Sequence, residues 1–246
     1  MKNRHYLKYM LAITALLFNG EAIYSQTHPI ESYLKAAGDH ATIYNGEIEF
    51  TYSLAQYENL PYFQSDEFTS GEIIFRGNRY PGLALHLDLY KDQLSALNPG
   101  SRHSIIINNE GIEQVKLHNA TFIYFRPTPN TNLDKGFYEL LHNGKELRLL
   151  ARKKYYIAHI SAEKIVKTGK HQTEYFTYKA KYYLEYNGVY YSVSNKKTFA
   201  RIFPEQRKLI NRYVRKQKLN FRHDTDASLT ALTNYCEELI APKQTR

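Results

Sequence analysis

Residues 175–194 read YFTYKAKYYLEYNGVYYSVS, and their period of two decides the fold class. Side chains of a strand alternate between faces, so Phe176, Tyr178, Tyr182, Leu184 and Tyr186 share one side. Thr177, Lys179, Lys181, Tyr183 and Glu185 share the other. Asn187-Gly188 suits a two-residue type I′ turn, which needs positive φ at both positions. That turn sets Tyr186 opposite Val189, Leu184 opposite Tyr191 and Tyr182 opposite Val193. One face of the pair is then buried and the other, with Ser192, is wet.

Working upstream, residues 136–154 (GFYELLHNGKELRLLARKK) repeat the pattern around Asn143-Gly144. The same turn type predicts Leu140 opposite Leu147, Tyr138 opposite Leu149, and an exposed Glu139–Arg148 pair. Residues 71–97 read as a meander, with a turn at Gly77-Asn78, then Leu83, Leu85, Leu87 and Leu89 on one face, then a return through Leu94 and Leu97. Asn98-Pro99-Gly100 closes it. Strands at 103–108 and 112–118 flank a turn at Asn109–Gly111, and TFIYF at 121–125 precedes a polar loop, 127–134.

Downstream of Ser194 the period changes. Phe199, Ile202 and Phe203, then Leu209, Ile210, Tyr213 and Val214, recur at helical spacing. Pro204 is placed to open a second helix, and a last one, capped by Asp224 or Asp226, runs to about Ile240. A short helix is expected over Ile30–Ala37. The expected fold is mainly β (α+β): an antiparallel sandwich or strongly curved sheet over 26–194, closed by a helical segment at 195–246.

Residues 1–25 predict a cleavable signal peptide. Lys2, Arg4 and Lys8 precede the apolar run Tyr9–Phe18, too short to span a bilayer, and cleavage falls after Ser25 or, alternatively, Ala22. Export to periplasm or medium follows. The single cysteine, Cys236, excludes an intramolecular disulfide, and no cysteine follows the apolar run to carry a lipid anchor. Cys236 falls at helical spacing from Leu229, Leu232 and Leu239, as a small core residue would. Removing Lys2, Arg4, Lys8 and Glu21 leaves 30 basic residues against 23 acidic. For an exported chain that balance points away from nucleic acid and toward an anionic membrane surface, an acidic glycan or an acidic envelope protein.

YNG at 44–46, LPYF at 60–63, the 71–94 meander and the 136–154 hairpin together resemble uncharacterised exported, periplasmic proteins of the Bacteroidota. The resemblance covers most of the chain after residue 25. It implies envelope localisation and a β architecture, and brings no activity, cofactor or catalytic residue with it. FRG at Phe75–Gly77 and Leu87-Asp88 stand where those relatives carry YDG and a Tyr-Asp pair.

No nucleophile elbow, zinc-binding H-E-x-x-H, phosphate loop or C-x-x-C is present, so no cofactor or metal is expected. Three constellations remain. His86, Asp88 and Tyr90 share one strand face, as a His–carboxylate pair for acid/base work or metal binding would, and as the wet face of a one-sided sheet also would. Asp92 lies across the following turn. The loop around Tyr62 and Phe63 is rich in aromatics and carboxylates, matching either a ligand platform or a plug for the end of the sheet. From Arg201 to Arg222 cations dominate, with Glu205 the lone acid. On a helix, Arg207, Lys208, Arg212, Arg215 and Lys216 face outward. Arg152, Lys153 and Lys154 stand as a possible extension of that field. The expected function is non-enzymatic binding or scaffolding of another envelope component. The alternatives are a glycan- or lipid-binding sheet face and a hydrolase built on His86 and Asp88.

Overall fold

The computed structural model describes residues 29–38, 41–129, 131–169 and 171–241; the signal segment expected at 1–25 lies outside them. Ten antiparallel strands form one curved sheet that does not close, accompanied among the described residues by five helices. β1 (Thr69–Phe75), β2 (Asn78–Asp88), β3 (Gln93–Leu97) and β4 (Ser104–Ile106) run as a meander. The chain then crosses back to place β5 (Ile112–Leu117) beside β1. Outward from it follow β6 (Ala120–Phe125), β7 (Gly136–Asn143), β8 (Leu147–His159), β9 (Glu174–Tyr186) and β10 (Val189–Val193). α1 is Pro29–Ala37, and α2, Ala162–Thr168, joins β8 to β9. α3 (Lys196–Ile202), α4 (Arg207–Lys216) and α5 (Thr225–Ile240) follow the last strand.

Alternation along β2 and just past its end puts Leu83, Leu85, Leu87 and Leu89 on one face, in one buried cluster with Ile73 of β1, Val115 of β5 and Phe122 of β6. Each such buried side chain contributes about 1.5–3 kcal/mol, so this row outweighs any surface ion pair in setting the register. The curl is fastened where the β2–β3 turn meets β7 and β8. There Asp92 accepts both guanidinium nitrogens of Arg152 and the Lys154 ammonium (3.1 Å), while Tyr155 N–H reaches the Leu89 carbonyl at 3.3 Å.

The Asn187-Gly188 hairpin forms in the expected register, with φ of 52° and 74° at the two turn residues. At Asn143-Gly144 the expectation fails. Leu140 faces Leu150, Asn143 faces Arg148, and a bulge lies between Leu140 and His142. Arg148 consequently pairs with Glu185 (3.0 Å), and Glu139 pairs with Lys153. The first meander turn centres on Arg76-Gly77, not Gly77-Asn78, because Phe75 pairs with Asn78 and both Arg76 and Gly77 take positive φ. The side of β9 expected to be wet is partly covered, since Tyr183 packs with Tyr138, Leu150 and Tyr190 in a third cluster.

Asn195 caps α3 through a reciprocal pair with Thr198, and Asp224 caps α5. Pro204 does not open α4. Buried Phe203 anchors the chain first, Pro204 sits in the turn with its carbonyl bonded to Arg207 N–H (3.3 Å), and the helix begins at Arg207. Leu147, Leu149, Leu184 and Val193 of the sheet form one cluster with Phe199, Ile210, Leu229, Leu232 and Cys236 of the helices. Cys236 is a core residue, and burial pushes its thiol up to about 12.

Candidate functional site

His86 and Asp88 project from one side of β2, but that side is covered: they are 5% and 1% exposed. The wet strand face that one-sided burial would give is not what forms, because the chain preceding β1 lies over it. Phe63 N–H bonds the Leu87 carbonyl and Leu89 N–H the Pro61 carbonyl, each at 2.9 Å. Tyr62 stacks on His86 with ring centroids 3.5 Å apart.

His86 Nε2 donates to the Ser65 carbonyl at 3.1 Å, and burial holds the imidazole below its ordinary pKa. Asp88 accepts from the Tyr52 hydroxyl (2.6 Å) and from the N–H groups of Tyr90 (2.7 Å) and Lys91 (2.8 Å). Burial raises its pKa, against the pull of those donors. Both side chains are thus engaged in fastening the covering strap and the β2–β3 turn, and neither orients the other. Asp92 points into Arg152 instead of joining them.

Tyr62 and Phe63 are themselves buried. Phe63 meets Phe122 edge-on at 4.8 Å, and nearby Tyr57 stacks on Phe176, also at 4.8 Å. The loop therefore plugs the sheet, and these two rings offer no open platform. The leucine side of the sheet is filled by its own buried core.

Arg152, Lys153 and Lys154 do not extend the helical cation field. Asp92 takes Arg152 and Lys154, while Glu139 and Asp226 take Lys153. Alternation sends neighbours on β8 to opposite faces, and acids from distant elements wait on each.

The cations of α4 behave differently. Ile210 and Val214 are buried, and Tyr213 stacks flat on Tyr235 of α5 with centroids 4.0 Å apart. This docking turns Arg207, Lys208, Arg212, Arg215 and Lys216 to solvent, all five exposed. None of them forms an ion pair with another described residue. Where α3 packs against α4, Lys196, Lys197, Arg201 and Arg207 line a cleft of about 390 Å3 with no carboxylate in its wall. Lys196 and Lys197 were outside the candidates read from sequence. The signal was the doubled lysine at the start of α3, which only the tight α3–α4 corner brings beside Arg207. A second cleft, at the other end of α4, holds Arg215, Lys218 and Arg222.

Geometrically this is an uncompensated cationic surface on a rigidly seated helix, suited to holding phosphate, carboxylate or sulfate groups. No helix among the described residues is long and apolar enough to cross a membrane. No protein-family model, curated protein or solved structure matches the chain.

Proposed function

We propose that this chain is an exported cell-envelope protein that performs no chemistry and docks an anionic envelope component, an acidic protein or a phosphate-bearing membrane surface, on the outer face of α4. The observation that carries this reading is the set of five exposed α4 cations without an acidic partner among the described residues. Elsewhere the same chain pairs its cations closely, as at Arg152 and Lys153. The signal-like first 25 residues and the resemblance to exported Bacteroidota proteins support the location, periplasmic or secreted.

Crosslinking in living cells with a C-terminally tagged copy tests it, wild type against Arg212→Glu/Arg215→Glu. Both positions are exposed, so the thermal midpoint should stay put, while capture of the dominant envelope partner falls at least roughly tenfold. Equal capture by the two proteins would overturn the reading.

A further inference from the structure

The chain leaves α4 through a strained cation. Lys218 has φ +52° and occupies the left-handed position of a Schellman motif: its N–H bonds the Arg215 carbonyl (3.3 Å), and Leu219 N–H bonds the Val214 carbonyl (3.1 Å). Glycine is the usual residue there, because a Cβ is strained in this region. Here the position carries a lysine, and that lysine lines a cleft of about 590 Å3 together with Arg215 and Arg222. The cleft's other wall residues include Val214, Leu219 and Phe221, the first buried and the other two half-buried. No carboxylate lines it. Asp224, nearby in sequence, is turned to capping α5 through Ala227 N–H.

A cleft of this volume lies within the range of small-molecule sites, and its composition is selective. A bare anion would meet the three cations but leave the apolar floor wet. A neutral apolar molecule would cover the floor and leave the cations unanswered.

We propose that this cleft seats one phosphate-bearing amphiphile, its phosphate among Arg215, Lys218 and Arg222 and its hydrocarbon chain along Val214, Leu219 and Phe221. The inference rests on the reading of the helical cap as an anion-docking face, and narrows one end of that face to a single-lipid site.

Lysophosphatidic acid held below its micelle-forming concentration is the probe, followed by calorimetry, with inorganic phosphate and lysophosphatidylcholine of the same chain length as comparisons. Saturable one-to-one binding of lysophosphatidic acid alone is expected. Lys218→Gly should weaken it roughly tenfold while raising the thermal midpoint, since the cation is lost and the strain with it. Arg222→Gln should weaken it without that rise. Lys208→Glu/Arg212→Glu, on the outer face, should leave lysophosphatidic acid binding intact while abolishing envelope capture.

Equal binding of inorganic phosphate or of the neutral lipid, an unchanged affinity in both Lys218→Gly and Arg222→Gln, or no saturable binding would each overturn the proposal. If lysophosphatidic acid binding is absent while wild-type capture persists and remains sensitive to Lys208→Glu/Arg212→Glu, the cleft fails and the docking face stands. Capture indifferent to that charge reversal removes the docking face itself.

Discussion

The Asn-Gly pairs at the ends of β7 and β9 take different conformations, and the neighbour makes the difference. Nothing approaches Gly188 within 4 Å of where a Cβ would sit, so Asn187-Gly188 follows its local preference. At Gly144 the same space is filled by the Glu237 carboxylate of α5, which accepts N–H groups from Glu146 (2.8 Å) and Leu147 (3.4 Å) and meets His142 Nε2. Gly144 is needed for its missing side chain, and a rule that reads only the hairpin has no access to a carboxylate arriving from the last helix. Burial works against the charged form of Glu237, but the Glu146 N–H, His142 and the Leu147 N–H outweigh it and hold the carboxyl below its usual range. With the folded pKa depressed, the unfolded chain takes up the proton first. This contribution is therefore complete above the ordinary value of 4.5 and is lost as pH falls through the lower, folded value. Glu237→Gln should cost about 2 kcal/mol at pH 7, with the gap to wild type closing as the buffer is taken well below pH ~4. Urea unfolding of both proteins at neutral and acid pH measures this, and parallel acid slopes would show that Glu237 is not the group responsible.

At the scale of elements, β8 shows why periodicity was legible and partners were not. Its row Leu147, Leu149, Ala151, Lys153, Tyr155 alternates as the sequence implies, running from the helix-covered cluster to the leucine core. Lys153 interrupts that apolar row, buried at 8% exposure. Its ammonium reaches Glu139 of β7 and Asp226 of α5 (2.6 Å), and Asp226 also accepts the Tyr182 hydroxyl at 2.6 Å. Burial alone would lower the lysine pKa; the hydrogen bonds its ammonium donates to Asp226 and Glu139 outweigh it and raise it. Read in isolation, Arg152-Lys153-Lys154 is a basic run, because the acids that answer it come from three other places in the chain. α2 is the opposite case. Ser161 at its N-cap and Gly169 in the left-handed region just past its end were ordinary helix signals, hidden between two long strands. Lys153→Met strands Glu139 and should cost about 3–5 kcal/mol, while Lys153→Met/Glu139→Leu recovers most of that loss, since replacing both members of a buried pair is far less damaging than removing one. A single-variant cost below roughly 1 kcal/mol would mean the lysine does not tie α5 to the sheet.

For the whole molecule, the switch from period two to helical period at Ser194 marks a change of element type, and the buried cluster runs straight across it. Leu147, Leu149, Leu184 and Val193 are covered by Phe199, Phe203, Ile210, Val214, Leu229 and Leu232, so this face of the strands beyond β7 has no finished core without the helices. At the opposite end of the sheet the outer edge of β4 is covered by the strap, through Glu49 N–H to Ser104 O and Ile106 N–H to Glu47 O, both 2.8 Å. Hydrophobic pattern made the strands and helices legible. Which surfaces they cover, and therefore where a site is left open, depended on contacts between distant segments. A core shared in this way predicts one cooperative unfolding unit, and the chain carries its own probe. Cys236 is the sole thiol and is 1% exposed; with burial raising its pKa to about 12, it is both hidden and protonated near neutral pH. Thiol labelling across a urea titration should rise only where tyrosine fluorescence, reporting chiefly the strands, also changes, since α5 cannot expose Cys236 without uncovering Leu147 and Leu184. Labelling that accelerates at urea concentrations where the tyrosine signal is still native would mean the helices open as a separate unit, and the shared cluster would then not be what holds them to the sheet.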